Sequence, residues 1–193
     1  GTALSLSNNT AGANFGVKAA SFTGSADALT ITLSNVTAGT TTMSAGVETL
    51  TINSTGGTTN TFNTATIAPT TVNVTGDTAL TYAEGLTGTT TVDANAFTGT
   101  LTSTWDPAAA YSYTGGSGTD TLTLTGSTAV VETVDLGAGN DRVTLAANLA
   151  NTDVLNGGDG TDTIASTSAL MSALTSATAA TNQVSNFETI LLT

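Results

Sequence analysis

Apolar and hydroxyl-bearing residues alternate in short runs along this chain. ALTITLSN (28–35), VETLTINST (47–55), TTVNVTGD (70–77) and TTTVDANAF (89–97) set aliphatic residues between Thr, Ser and Asn. A period of two marks a half-buried β-strand, because successive side chains point to opposite faces. The β-branched content suits an extended backbone, and Gly, Asn and Asp punctuate the corners.

The strands recur at a nearly constant step. Ile31, Ile52, Val72, Val92 and Tyr113 follow one another at intervals of 21, 20, 20 and 21 residues. Further on, Gly116, Gly137 and Gly158 are each 21 apart, as are Asp120, Asp141 and Asp162. Leu122, Val143 and Ile164 share the offset, and so do Val134 and Leu155. A strand that returns to an equivalent place every ~21 residues, at ~3.3 Å per residue, makes one flattened circuit and stacks on its predecessor. An antiparallel sandwich accommodates the same strands but gives no reason for a constant offset. The expected fold is therefore all-β: a right-handed parallel β-solenoid, or β-roll, with an aliphatic core and a Thr-rich exterior. A Thr-rich solenoid over 1–110 is expected to run on into a second region over 111–193.

The rhythm breaks near the C-terminus. STSALMSALTSATAATNQ (166–183) is rich in Ala, Leu and Met, with Leu170, Met171 and Leu174 at helical spacing, which predicts one short helix over the end of the stack. NFETILLT (186–193) then predicts a closing strand.

Composition narrows the partners. Only 8% of residues are charged, and the net charge is −12 with fourteen carboxylates, two basic residues (Lys18 and Arg142) and no histidine. Such a chain repels phosphate backbones and anionic membranes, which argues against nucleic acid and lipid surfaces as partners. No apolar run reaches the ~18 residues of a membrane span. Cysteine is absent, which excludes disulfides, thiolate catalysis and cysteine-held metals. With so few cations in the chain, the carboxylates must be solvated, protonated or metal-bound, and eight of the fourteen lie after residue 114. A start at Gly1 rather than Met suggests a piece of something longer.

Three stretches concentrate the glycine and aspartate: GGSGTDTLT (115–123), LGAGNDRVT (136–144) and GGDGTDTIA (157–165). Glycine permits a positive-φ turn that brings carbonyls inward, and aspartate adds a hard anionic oxygen. The next strand residue drops into the core. Carbonyls and carboxylates from two stacked turns suit calcium, which takes six or so oxygens at ~2.3–2.6 Å in irregular cages. Three turns in register leave two gaps, so two Ca2+ ions are expected, with Asp141 serving both.

These stretches match GGxGxDxUx, the nonapeptide of the calcium-binding RTX β-roll, departing only at Leu136. The resemblance implies which groups bind. The first ion would be held by Gly116, Gly118, Asp120, Leu136, Ala138 and Asp141. The second would be held by Gly137, Gly139, Asp141, Gly157, Asp159 and Asp162, with main-chain carbonyls throughout except for the Asp120, Asp141 and Asp162 carboxylates. Leu136 fits only if its φ follows the turn. Unlike tandem nonapeptide blocks, the coil carries its turn on one side, so ions are expected on that side alone.

With its Thr-rich strands and closing NFETILL, the region 111–192 resembles the RTX-type surface-layer proteins of Gram-negative bacteria. That resemblance implies a secreted, extracellular, calcium-dependent structural protein at the cell surface, exported by type I secretion. Its partners would be other copies of itself in a two-dimensional lattice, with cell-surface polysaccharide held through regions outside this sequence. The alternative is a segment of a secreted RTX adhesin binding glycan, for which Trp105, Tyr111 and Tyr113 are the available aromatics. An enzyme is not expected: polysaccharide-cleaving β-helices need cationic or basic groups beside their carboxylates, and here the two cations are far apart and His is missing. Trp105, Asp106 and Pro107 are read as a corner, and Glu48, Glu132 and Glu188 as exposed edge residues.

Overall fold

The computed structural model describes all residues except 1, 11–12, 18–21, 38, 44–45, 66–68, 85–87, 127–129, 147–151, 170 and 172–182. One sheet is built from β1 (Thr2–Ser7), β3 (Ala28–Ser34), β5 (Thr49–Thr55), β7 (Thr71–Gly76), β9 (Thr91–Asp93), β11 (Tyr111–Thr114), β13 (Glu132–Asp135), β16 (Val154–Asn156) and β19 (Val184–Ser185). The other contains β2 (Ala13–Val17), β4 (Gly39–Met43), β6 (Asn60–Ala65), β8 (Leu80–Glu84), β10 (Leu101–Trp105), β12 (Thr121–Leu124), β15 (Arg142–Leu145), β18 (Thr163–Ser166) and β20 (Thr189–Leu192). A two-stranded sheet, β14 (Ala138–Gly139) with β17 (Asp159–Gly160), lies within the glycine–aspartate turns.

Within each large sheet the strands follow chain order, skipping the strands of the opposite sheet. All the pairings are parallel, for example β3 with β5 and β12 with β15. This is a parallel β-solenoid in which every coil gives one strand to each sheet. The period-two pattern dictates it, because each strand has a single apolar face to bury and the two sheets bury theirs against each other.

Ile31, Leu50, Ile52, Val72, Val74 and Val92 project inward from the first sheet and are essentially fully buried. Phe62, Leu80, Tyr82, Leu101, Trp105, Leu122, Val143 and Ile164 meet them from the second. Each such side chain contributes about 1.5–3 kcal/mol of burial. An aromatic spine runs through the middle coils: Phe62 stacks on Tyr82 at 6.3 Å between ring centroids, Tyr82 lies 5.2 Å from Trp105, and Trp105 lies 6.2 Å from Tyr111.

The columns expected in the later coils are in register: Leu122 pairs with Val143, Val143 with Ile164, and Val134 with Leu155. One step upstream differs. Leu50 pairs with Val72 and Ile52 with Val74, so the Ile52-to-Val72 match is displaced by two residues. Sliding a strand by two keeps the same side chains inward, so alternation alone cannot choose between these registers. The expected helix over 166–183 falls mostly outside the described residues; within them, the Met171 N–H donates to the Thr167 carbonyl at 3.0 Å, one helical turn back.

Trp105 ends β10 and is 1% exposed, Tyr111 is 3% and Tyr113 is 1% exposed. The three aromatics considered as an exposed glycan-binding group are therefore core residues. Their positions on the inward face of β10 and β11 explain it, since each lies two residues from the next inward side chain.

Candidate metal centre at the stacked aspartate turns

The chain turns from the first sheet to the second after β11, β13 and β16, and the three turns lie on top of one another. The Ala138 N–H donates to the Gly116 carbonyl and the Asp159 N–H to the Gly137 carbonyl, both at 2.9 Å. Ala138 pairs with Asp159 and Gly139 with Gly160 as β14 and β17. Glycine is required at the fourth motif position of the later turns: Gly139 has φ 140° and Gly160 has φ 145°. A Cβ on Gly160 would also run into the Gly139 carbonyl oxygen, so the turns approach as closely as a bare backbone allows.

Leu136 is no defect in this arrangement. Its φ is not positive, its N–H donates to the Asn156 carbonyl at 3.0 Å, and its side chain is completely buried in the core. The first motif position does not use the left-handed region, so a large side chain can point inward there.

The aspartates form a column. Asp120 Oδ1 accepts the Leu101 N–H at 2.8 Å, Asp141 Oδ1 the Asp120 N–H at 2.7 Å, and Asp162 Oδ1 the Asp141 N–H at 2.7 Å. Glu188 Oε2 accepts the Asp162 N–H at 2.7 Å and extends the column by one coil. Each carboxylate thus ties its coil to the one before it. Asp120 occupies both oxygens, because Oδ2 accepts the Gly116 N–H at 3.1 Å. Asp141 Oδ2 and Asp162 Oδ2 are buried without a hydrogen-bond partner.

The charge has nowhere to go within the protein. Asp120, Asp141 and Asp162 are 0%, 2% and 0% exposed. Burial pushes Asp120 up to about 6, against the opposing pull of the Leu101 and Gly116 N–H groups. Burial pushes Asp141 up to about 7; the Asp120 N–H holds it down in part, and the charges of Asp120 and Asp162 push it further up. Asp162 is raised for the same first reason, with Glu188 and Asp159 adding repulsion. Tyr113, buried beneath the column, is held well above an ordinary phenol by burial and then by Asp120.

One N-terminal coil makes the same tie without charge. Asn60 is fully buried at the equivalent corner, at the start of β6, and its Oδ1 accepts the Val36 N–H at 2.7 Å. Its amide donates to Ser54 Oγ at 2.8 Å and to the Thr55 carbonyl at 2.9 Å, leaving no orphan. A neutral amide therefore suffices for the hydrogen bond between coils. What Asp141 and Asp162 add is a second, anionic oxygen with no hydrogen-bond partner, which is what a hard cation requires.

All the sequence-predicted residues are brought together here. Gly116, Gly118 and Asp120 form the first turn, Leu136 to Gly139 with Asp141 the second, and Gly157, Asp159 and Asp162 the third. Asp159 is exposed at its side chain and joins the site through its backbone. Among the described residues no three acidic side chains gather into a cage of their own, so a cation would be held mainly by carbonyls. The residues present fit a hard cation in one respect: Asp141 Oδ2 and Asp162 Oδ2 are buried anionic oxygens with no donor, whereas the Gly116 and Gly137 carbonyls already accept the Ala138 and Asp159 N–H groups.

Sequence reasoning missed Leu101, Asn60 and the reach of Glu188. Leu101 and Asn60 act through main-chain or amide groups that no motif marks. Glu188 is exposed, as expected, yet caps the column; Glu48 is half-buried rather than exposed, because its Oε2 accepts the Asp27 N–H at 2.7 Å. Glu132 is not an exposed edge residue: it is 0% exposed, because it starts β13 on the inward face, in register with Tyr111. Comparison with protein-family models, curated proteins and solved structures finds no match to this chain.

Proposed function

We propose that this chain is a calcium-stapled segment of an extracellular surface layer of the RTX type, in which Ca2+ between stacked turns folds and stiffens the solenoid. The observation that carries the reading is the pair of orphaned, buried oxygens, Asp141 Oδ2 and Asp162 Oδ2, in stacked glycine turns. Gly116, Gly118, Asp120, Leu136, Ala138 and Asp141 would hold one ion, and Gly137, Gly139, Asp141, Gly157, Asp159 and Asp162 the other. Calcium supplies the positive charge that the column lacks.

The consequence is a chain that folds where calcium is plentiful. Without the ion the carboxylates must be protonated or repel, and binding free energy becomes folding free energy. That suits a protein exported unfolded through a type I secretion channel and assembled outside the cell with copies of itself. The connections between parallel strands are taken as right-handed, the hand that a twisted sheet favours, and 166–183 as a helical cap on the last coils.

A glycan-binding adhesin is the weaker reading, because Trp105, Tyr111 and Tyr113 are all buried. Calorimetric titration of chelator-treated protein with Ca2+ tests the metal assignment. Two ions per chain and a large rise in melting temperature are expected, and an unchanged melting temperature overturns it. Electron microscopy of the full-length protein with and without calcium tests the layer, which predicts ordered sheets only with calcium.

A further inference from the structure

We propose that Asn156 is a modification site: the Asn156–Gly157 step converts to aspartate and isoaspartate through a cyclic imide, and the docked last coil, 184–188, holds it shut. Asn156–Gly157 is the one Asn-Gly step in the chain. The chemistry is general to such steps. The main-chain nitrogen of the glycine attacks the asparagine Cγ, closes a five-membered succinimide and expels ammonia. Water then opens the ring at either carbonyl, giving aspartate or isoaspartate, so the net change is amide plus water to acid plus ammonia. Glycine favours the attack because it has no Cβ to hinder it and the freest backbone.

In the fold both reacting groups are engaged. The Gly157 N–H, whose nitrogen must lose its proton and swing onto Cγ, donates to the Ser185 carbonyl at 3.0 Å. Asn156 Oδ1 accepts the Gly158 N–H at 3.2 Å, Asn186 Nδ2 at 2.7 Å and the Ser185 hydroxyl at 3.4 Å. Asn156 Nδ2 donates to Asp135 Oδ1 at 3.3 Å. Asn156 also ends β16, in register with Asp135 on one side and Ser185 on the other. Three of these hydrogen bonds come from the last coil. Among the described residues β19 and β20 are the final strands of their sheets, and Ile190 and Leu192 are 60% and 58% exposed. A coil packed on one side only opens at lower cost than the coils beneath it, and its opening frees both groups.

Neighbours hold both residues of the step to their identity. A Cβ on Gly157 would run into the Asn186 carbonyl, and a carboxylate at 156 would face Asp135 and lose the amide donor to it. The reactive pair is thus built into the corner, and docking is its protection. Isoaspartate adds one atom to the main chain ahead of the third turn. That displaces the turn from the Gly137 carbonyl, which takes the Asp159 N–H, and from the Asp141 N–H, which Asp162 Oδ1 takes. A chain that stays unfolded is therefore marked where the aspartate column has to form, whether or not a cation binds there.

The test follows the full chain at pH 8 in excess calcium, folded and in guanidinium chloride, by intact mass and by mapping of the peptide that holds Asn156. The amide-to-acid mass gain is the readout; isomerisation at Asp159–Gly160 leaves the mass unchanged. Conversion at Asn156 should be at least about tenfold slower in the folded chain, because only molecules with the last coil open react. Asn186→Ala removes the 2.7 Å bond to Oδ1, and Val184→Ala thins the contact of β19 with the core. Each should convert faster than wild type when folded and at the wild-type rate in guanidinium chloride. Equal rates for folded and unfolded wild type overturn the proposal. So does a folded rate that neither variant raises, or a mass gain that maps away from Asn156. Should one variant fail to fold, the other carries the comparison. Calcium is present throughout, so the outcome is separate from that of the calcium reading, which melting temperature tests.

Discussion

Asp141 Oδ1 takes the main-chain N–H of Asp120 at 2.7 Å, while its Oδ2 is buried with no hydrogen-bond partner. One oxygen of this carboxylate is structural and the other is an unanswered charge. Asparagine at the same place keeps the first and abolishes the second. Asp141→Asn should therefore have opposite effects in two conditions. In chelator at pH 8 it should unfold at higher urea than wild type, because it removes a buried charge; in saturating calcium it should unfold at lower urea, because it removes a ligand. Equal shifts of one sign in both conditions would show that the carboxylate has no cation to meet.

The calcium-free protein should also lose stability with rising pH. Asp141 is raised from 3.8 to about 7 in the fold, so its contribution is complete below about 4 and gone above about 7. Melting temperatures in chelator should fall across that window and level off beyond it. Saturating calcium should flatten the fall, since the ion favours the charged form.

Asp120 and Asp141 differ in what they can give up. Asp120 has N–H donors on both oxygens, and Asp141 lies between both predicted ions. Calcium titration of Asp141→Ala should show both binding events weakened, and of Asp120→Ala only the first. A variant pair that loses calcium equally would contradict the shared position of Asp141.

Leu136 interrupts the motif, yet restoring the motif should harm the protein. Leu136 is wholly buried with an ordinary φ, so Leu136→Gly removes a core side chain at a cost of about 2–5 kcal/mol. Gly160→Ala forces φ 145° on an alanine and drives its Cβ into the Gly139 carbonyl, costing about 1–3 kcal/mol from backbone strain alone. Denaturant midpoints of the two variants check both numbers. A Leu136→Gly protein as stable as wild type would mean that the turn, not the core, uses this position.

Asn60 tests the neutral version of the corner. Asn60→Asp keeps the acceptor for the Val36 N–H but loses the amide donors to Ser54 Oγ and the Thr55 carbonyl, and it buries a charge. The loss should be about 1–3 kcal/mol per group left unsatisfied, read from urea midpoints at pH 7. Calcium should not rescue it, because this corner lacks the Gly-x-Gly-x-Asp spacing of the later turns.

Much of this was legible in one dimension. Alternation identified β3, β5 and β7, and the constant offset put Leu122, Val143 and Ile164 in one column. The motif brought Asp120, Asp141 and Asp162 together. The second-sheet strands of the N-terminal half, such as Asn60–Ala65 and Leu80–Glu84, were harder to read because their polar residues blur the alternation.

The sequence by itself determined a parallel stack of coils, since a one-sided strand repeated every ~21 residues has no cheaper way to bury its apolar face. It also determined which three turns coincide. Only the tertiary structure decided the register of Leu50 on Val72, the burial of Trp105 and Glu132, and the division of Asp141 and Asp162 into one bonded and one orphaned oxygen. Those depend on which main-chain N–H groups the neighbouring coil presents, a relation between residues some 20 apart that no local pattern encodes.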